Sequence, residues 1–481
     1  MKFTNSFAEN VKMIENAFDC EETFLNRKIK NDKNSEIEIS VLVLTCMVDT
    51  DVVDRDIVKN LATLSFKPTA EAALQAGISA YNTSLTDDAD KAAIQIASGD
   101  CVILISDSPC AIIVDTKGMK QRDVSAPETE VTIAGPAEGF NENIMTCLSL
   151  VKKRIATPRL KTRFVTVGRQ SNTRVAVCYI DGIAKEEYIT KVMDMLRAID
   201  IDAVLDVNYL SEVMFYKKRG IFKMCGKTKR PDVFSSKLLE GRVGIIMNGT
   251  STTLTLPFLF IENFQSADDY YLNYHYANVG RVLRLIGFML AFLTPAVYLA
   301  LIVHHQNMLP SEWLYSISTS QNGVPLNSIL EMILLFIIFE ILRETGTRMP
   351  SSIGLALNIV GAIILGQAAV EAKLVSAPMV IIVAFSGTCG LMVSSLKGTV
   401  LYIRALFIVM AALLGIAGIF LAMILLLINL YDNESLGVPY MYCTSIFNKS
   451  TYQDTFLRTP IWNMNYRQKR FTDNLKRQAG K

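Results

Sequence analysis

The sequence predicts an α/β soluble head built from two duplicated α/β modules, followed by an α-helical multi-pass membrane domain. Three observations predict it. Charges are dispersed among short apolar runs through residues 1–270, whereas from Leu285 onward uncharged stretches approach the ~20 residues that span ~30 Å of hydrocarbon. The order strand, turn, helix and then hairpin occurs twice in the first part. At 51% hydrophobic and 20% charged residues, the 481-residue chain is too apolar for an ordinary soluble enzyme and too charged for a wholly embedded protein. We divide it into a first cytoplasmic α/β subdomain (1–160), a second (161–270), a membrane domain of four to five helical segments (271–431) and a basic cytoplasmic tail (432–481).

Residues 1–20, MKFTNSFAENVKMIENAFDC, form a charged amphipathic helix rather than an apolar signal core, so no cleavable signal peptide is expected and the head stays cytoplasmic. Glu38–Met47 reads as a buried strand, followed by a turn at Val48–Thr50 and a helix over Val52–Leu64. A helix over Asp90–Ala97 leads through Gly99-Asp100 into Cys101–Ser106. Asp107-Ser108-Pro109 then turns the chain into Ala111–Asp115, a hairpin by its turn residues. Val131–Ile133 reads as a short strand, with a helix over Asn141–Leu150 after Gly135-Pro136. The pattern then repeats: Val175–Ile180, Asp181-Gly182 and a helix over Lys185–Leu196, and later Val243–Met247, Asn248-Gly249 and Leu254–Leu256.

The head carries no pattern for catalysis. Gly226-Lys227-Thr228 follows Gly220 one residue too far for a phosphate loop, and the flanking KKRGIFKMCGKTKR reads as a solvated basic loop. None of the three histidines, His275, His304 and His305, lies in the α/β core, and neither GxSxG nor HExxH occurs. Nine cysteines without a CxxC pair predict neither disulfides nor zinc. We therefore expect no enzyme, no catalytic, cofactor-binding or metal residues, and, at a net charge of +2, no nucleic-acid partner.

Four uncharged runs are read as crossings: Leu285–Val303, Ile353–Val370, Leu374–Val393 and Ala405–Ile428. Leu326–Leu342 differs, because Glu331 and Glu340 stand nine positions apart on different helix faces. Charges at membrane depth must meet protein or water, so this segment is interfacial, re-entrant or buried among partner helices, and the topology below takes it to lie in or dip into the outer face. The loop His304–Pro325 has no Lys or Arg, and the tail from Arg458 has seven against the single acid Asp473. The positive-inside rule thus places the loop outside and the tail inside, giving four crossings.

In the second run Gly354, Asn358, Gly361, Leu365 and Ala368 recur at steps of three or four, with Gln367 beside them. A small, polar stripe serves either close helix packing or an ion path in an oligomer. Glu331, Glu340, Arg343, Glu344 and Arg348, in and after the charged segment, are candidates for subunit contacts.

Several runs carry a resemblance. They are Phe264-Gln265-Ser266-Ala267-Asp268-Asp269-Tyr270-Tyr271, Arg281-Val282-Leu283-Arg284, Leu309-Pro310, Phe339-Glu340-Ile341-Leu342-Arg343-Glu344 with Met349-Pro350, and Ile359-Val360-Gly361 through Gly366-Gln367-Ala368-Ala369-Val370. Asp181-Gly182-Ile183-Ala184 and Leu238-Leu239-Glu240-Gly241-Arg242 in the head, and Gly437-Val438-Pro439-Tyr440 and Leu457-Arg458-Thr459-Pro460 in the tail, add to them. Together they resemble the A subunit of the GerA family of bacterial spore germinant receptors. The departures are Thr345 and Met349 in the charged turn, and a run Ser386–Ser395 rich in Gly, Cys and Ser.

The resemblance implies a multi-pass protein of the spore inner membrane. It would be partnered by a permease-like B subunit that binds the nutrient, a lipoprotein C subunit, further copies of itself and membrane lipid. It also implies transduction, with an oligomeric nutrient-gated cation channel as the mechanism. The helix Ser352–Ala372 would then line the pore, with Asn358 and Gln367 as polar rings and Gly354, Gly361 and Gly366 allowing close approach. The alternatives are a non-conducting scaffold and the paralogous spore membrane protein associated with dipicolinic-acid release. A solute carrier is disfavoured by the lack of an inverted repeat.

Overall fold

The computed structural model describes residues 1–34, 37–64, 66–78, 82–106, 108–118, 130, 132–216, 220–348, 366–442 and 453–477. Its first half holds two five-stranded antiparallel sheets. The first runs in the order β1 (Phe24–Lys30), β2 (Glu38–Leu44), β4 (Cys101–Ile105), β5 (Ala111–Val114), β3 (Thr83–Thr86). The second runs β6 (Leu160–Val167), β7 (Thr173–Ile180), β9 (Val243–Met247), β10 (Thr253–Leu256), β8 (Gly226–Thr228). The orders are the same, and so is the central register: Val41 faces Ile103 in one sheet, and Val177 faces Ile245 in the other.

The central strands read as unbroken apolar runs because both of their faces are covered. Alternate residues Ile39, Val41 and Val43 pack under the helical stretch Thr50–Thr63, which includes a π-helical turn at Val53–Val58, and under α4 (Ala70–Gly77). Leu42 and Leu44 turn to α1 (Phe7–Ala17) and α5 (Ala89–Ser98). The helical stretch is counted here as α2 (Thr50–Val52) and α3 (Lys59–Thr63) around its π turn. In the second sheet Val175, Val177 and Tyr179 face α7 (Glu186–Arg197) and α8 (Val207–Met214). There, Ala176, Cys178 and Ile180 face α6 (Ile144–Arg154) and α9 (Pro231–Leu239). The period of two divides each strand between two cores. Although α6 precedes residue 160, its Ile144, Cys147, Leu148 and Val151 pack on the second sheet.

Four strands went unread: β1, β3, β6 and β8 flank the centres and mix polar with apolar residues. Gly226-Lys227-Thr228 is not the expected solvated loop but an edge strand, with Thr228 paired to Thr253. Of the expected strand Val131–Ile133, Val131 lies outside the described residues. Thr132 and Ile133 are held by side chains instead, through Arg230 and Asp268.

After a short helix α10 (Asp268–Tyr271), α11 (Tyr274–Val303) leaves the head. It ends beside Gly415, where His304 Nε2 lies 2.8 Å from the Ala412 carbonyl. The loop that follows contains a polar helix, α12 (Ser311–Gln321). α13 (Ser328–Arg348) and α14 (Ala377–Leu391) run side by side in one direction: Glu331 meets Ser376 at one end, and the Phe339 ring packs on Gly387 toward the other. Residues 366–371 are also helical. α15 (Lys397–Leu414) starts at the head, where Thr399 Oγ1 donates to the Ile221 carbonyl over 2.8 Å. α16 (Ile416–Asp432) returns to it, and Ser435 Oγ beyond its end donates to the Met224 carbonyl over 2.6 Å. A two-residue hairpin of β11 (Glu434–Ser435) and β12 (Val438–Pro439) then leads into the tail.

Two expectations are corrected here. Ala405–Ile428 is not one helix: Gly415, with φ 60° and ψ −136°, turns the chain back, in a conformation open to glycine because it lacks Cβ. A Cβ there would also meet His305 at 2.7 Å. And Leu326–Leu342 falls mostly in the 21-residue helix α13 packed along α14, which fits burial among other helices rather than a segment lying in the outer face.

Among the described residues two helices, Tyr274–Val303 and Ser394–Leu414, are long and apolar enough to cross a membrane; α14 and α16 are shorter and apolar. The outer faces are also apolar: Phe385, Leu413, Phe420, Ile424 and Ile428 are exposed on the chain. An apolar outer face of this kind marks a surface that meets a membrane or another protein.

Candidate functional site

Where the head meets the bundle, three distant segments share one buried charge cluster. Asp269, in α10, accepts from Arg281 Nε over 2.8 Å, from Arg284, and from the Ser266 backbone N–H over 3.1 Å. Arg281 Nη1 reaches Asp454 of the tail at 2.7 Å, and Tyr270 donates its hydroxyl to the same carboxylate. Arg458 of the tail donates to the backbone carbonyls of Asp269 and Leu272. Arg281 and Asp269 are each 2% exposed. Burial, then the Asp454 carboxylate, pushes the Tyr270 phenol well above its ordinary value. The spacing Asp269, Arg281, Arg284 puts both guanidinium groups one helical turn apart on α11, directed at one carboxylate.

A second contact binds tail to head. Glu262 accepts from Arg242 Nη1 over 2.5 Å and lies 3.0 Å from Lys237 Nζ, while the Arg242 guanidinium sits 4.2 Å over the Phe471 ring. Burial pushes the Glu262 carboxyl up, but Arg242 and Lys237 more than reverse it, leaving it below the ordinary range.

Inside the bundle the polar centre is built differently. Pro295 lies within α11 and has no N–H, so the Ala291 carbonyl four residues earlier loses its helical donor. Two side chains from other helices take its place: Ser386 Oγ of α14 at 2.6 Å and Arg404 Nε of α15 at 3.0 Å. Arg404 Nη2 also donates to the Ser386 carbonyl at 3.1 Å, and its guanidinium lies 4.8 Å from the Phe336 ring of α13. Four helices therefore meet at one arginine, which is 2% exposed and has no ion-pair partner among the described residues. An aromatic row, Phe264, Phe288, Phe292 and Phe407, joins this centre to the head, with centroids 5.4, 5.4 and 4.7 Å apart in turn.

The residues expected to contact other subunits all lie on α13 and have partners within this chain. Glu331, 1% exposed, accepts from Ser376 Oγ over 2.6 Å and from the Ser376 N–H, so it caps the start of α14. Glu340 pairs with Arg343, and Glu344 with Arg348 at 2.7 Å. Of the pore candidates, Gly354, Asn358, Gly361 and Leu365 lie outside the described residues. Gln367 and Ala368 are exposed, and Gln367 Nε2 donates to Glu371 over 3.0 Å, while Ala369 and Val370 turn inward to pack on the bundle.

Arg404 was missed. Its signal was a single charge between two apolar stretches, Val400–Ile403 and Ala405–Leu414, which the count of uncharged runs stepped past. No group of three or more His, Cys, Asp or Glu side chains able to hold a metal ion occurs among the described residues.

Two α/β modules joined by buried ion pairs to an apolar helical bundle define a membrane-associated chain. The chain belongs to the Bacillus/Clostridium GerA spore germination protein family, whose pattern matches residues 12–470. Spore germination protein KA of Bacillus subtilis is 31% identical over 462 residues, covering 95% of this chain and 85% of that protein. The uncharacterized membrane protein YfkQ of the same organism is 35% identical, covering 82% of this chain and 78% of that protein. Spore germination protein GerQA of Bacillus cereus is 31% identical, covering 89% and 86%. The crystal structure of the N-terminal domain of the A subunit of the Bacillus megaterium spore germinant receptor GerK3 covers 54% of this chain and 98% of that one, at 23% identity and a TM-score of 0.41.

Proposed function

We propose that this chain is the A subunit of a spore nutrient germinant receptor and converts nutrient binding on a permease-like B subunit into germination. The family match carries the reading, because it runs without a break through head, bundle and tail. The lipoprotein C subunit and further copies of this chain complete the complex. The head lies in the cytoplasm and the bundle in the spore inner membrane.

The described helices fit more passages than four: α11 leads away from the head, α13 and α14 each run back toward it, and α15 and α16 form a final pair. Both ends then lie inside. Arg343 and Arg348 come to the cytoplasmic side, in keeping with the positive-inside rule, and α12 lies outside.

In this reading the receptor is a gated cation channel, and the stripe of Gly354, Asn358, Gly361, Leu365, Gln367 and Ala368 lines its path. Gln367 and Ala368 face away from their own bundle, as residues meeting other copies around a pore would. Potassium release from spores carrying bulky or apolar replacements at Asn358 and Gly361 tests it. Altered rate or ion preference at unchanged receptor abundance supports conduction by this chain; normal release and assembly with Gly361→Trp overturns it. A scaffold role would instead show as poor recovery of the complex on Glu340→Gln.

A further inference from the structure

The cleft between α13 and α15 shares Glu340, Glu344 and Arg348 with the subunit-contact candidates, but the rest of its lining has no part in these roles. Its volume is about 880 Å³, within the ~300–1,000 Å³ of small-molecule and cofactor sites. Its walls are mostly apolar, formed by Ile333, Phe336 and Ile337 of α13 and Leu401, Ile408 and Val409 of α15; the two carboxylates that also line it, Glu340 and Glu344, are paired with Arg343 and Arg348. Ile337 and Val409 are 52% and 50% exposed on the chain, so the cleft opens sideways onto the apolar outer face of the bundle. Arg404 lies within it. Two of that residue's nitrogens are held by carbonyls, which are dipoles and leave the unit charge unneutralised.

We propose that this cleft binds a membrane phospholipid, with its phosphate paired to Arg404 and an acyl chain lying along the isoleucines and valine. The proposal rests on the membrane placement of the bundle argued above. Three features select this occupant together. With the cleft's two carboxylates already paired, Arg404 is left as the excess charge, and it calls for an anion. The apolar walls call for hydrocarbon, which free phosphate lacks. The sideways opening calls for a ligand that arrives from the bilayer. The depth also fits, because Arg404 is seven residues beyond Lys397 in α15, about 10 Å along the axis from the end nearest the head.

The test uses the full chain, extracted from membranes in detergent and assayed for organic phosphorus and by native mass spectrometry, with thermal unfolding measured alongside. Val409→Trp and Ile337→Trp fill the cleft and leave the hydrogen bonds of Arg404 in place; Arg404→Gln removes the charge. The expected result is a phospholipid retained in stoichiometric amount by the wild type. Both tryptophan variants should lose it at an unchanged unfolding midpoint, and a vesicle of phosphatidylglycerol should restore it to the wild type after delipidation. A folded wild type free of phospholipid, or equal retention by Val409→Trp, overturns the proposal. So does photocrosslinking from position 337 that captures a second copy of the chain instead of lipid. Release of the chain from membranes by alkaline carbonate would overturn the membrane placement itself, which separates that failure from a cleft that is embedded but empty.

Discussion

Arg281 and Arg404 are both 2% exposed, on neighbouring helices joined by one aromatic row, yet their charges are met in opposite ways. Arg281 has two carboxylates, Asp269 at 2.8 Å and Asp454 at 2.7 Å. Arg404 has two backbone carbonyls and a ring. The first arrangement is a lock: head, first bundle helix and tail each supply a member, and none can leave without stranding a charge. The second fixes the side chain's direction but leaves its charge available. The same residue type thus serves assembly at the junction and recognition in the bundle.

The largest effect should come from breaking the lock. Asp269→Asn removes the carboxylate from Arg281 and Arg284 together, and breaking a buried pair in this way costs about 3–5 kcal/mol. Thermal unfolding of the detergent-solubilised chain should show that loss, with the tail becoming sensitive to protease. Arg404→Gln deletes its charge instead of stranding it and forfeits carbonyl bonds worth about 1.5–3 kcal/mol. Equal losses from the two variants would break the comparison.

Acid should separate the two regions next. The Glu262 carboxyl is held below its ordinary range once Arg242 and Lys237 outweigh its burial, so it binds protons less readily folded than unfolded. Its contribution to stability is therefore present above the ordinary glutamate range near pH 4.3 and is lost as pH falls below it toward the folded value. Hydrogen exchange in residues 453–477 should rise on acidification before exchange in α15 does. Glu262→Gln should flatten that dependence, and simultaneous opening of both segments would show that the tail contact is not the acid-sensitive one.

What the sequence disclosed follows the same division. The central strands were legible because two buried faces write an unbroken apolar run, as in Val175–Ile180, and the repeat of that run exposed the duplication. Edge strands such as Gly226–Thr228 were not, since half their pairing is absent and their composition is that of a loop. The soluble-to-apolar boundary was legible from charge alone. The break at Gly415 was not, because one glycine in an apolar stretch is also ordinary helix packing. Glu331 and Glu340 drew notice as charges at depth, but sequence could not say that Ser376 waits 45 positions away to meet Glu331. Arg404 was not legible, because a single charge at the edge of an apolar stretch reads as the end of that stretch. Pro295 was visible throughout, yet its consequence, a free carbonyl at Ala291, acquires meaning only once α14 and α15 are seen to reach it.

The smallest predicted effect tests that carbonyl. Ser386 Oγ and Arg404 Nε both donate to Ala291, so Ser386→Ala removes one of two bonds and leaves the acceptor satisfied. The cost should be that of a single hydrogen bond, about 0.5–1.5 kcal/mol, because the larger penalty attaches to an acceptor left bare. In an Arg404→Gln background Ala291 depends far more on Ser386, and the same change should cost more there than in the wild type. A double-mutant cycle by thermal unfolding measures the difference directly. Additive losses would mean that the two donors do not share the carbonyl, and that Arg404 is held chiefly by Ser386 and the Phe336 ring; coupling would establish the proline-freed carbonyl as the point on which the buried Arg404 charge is mounted.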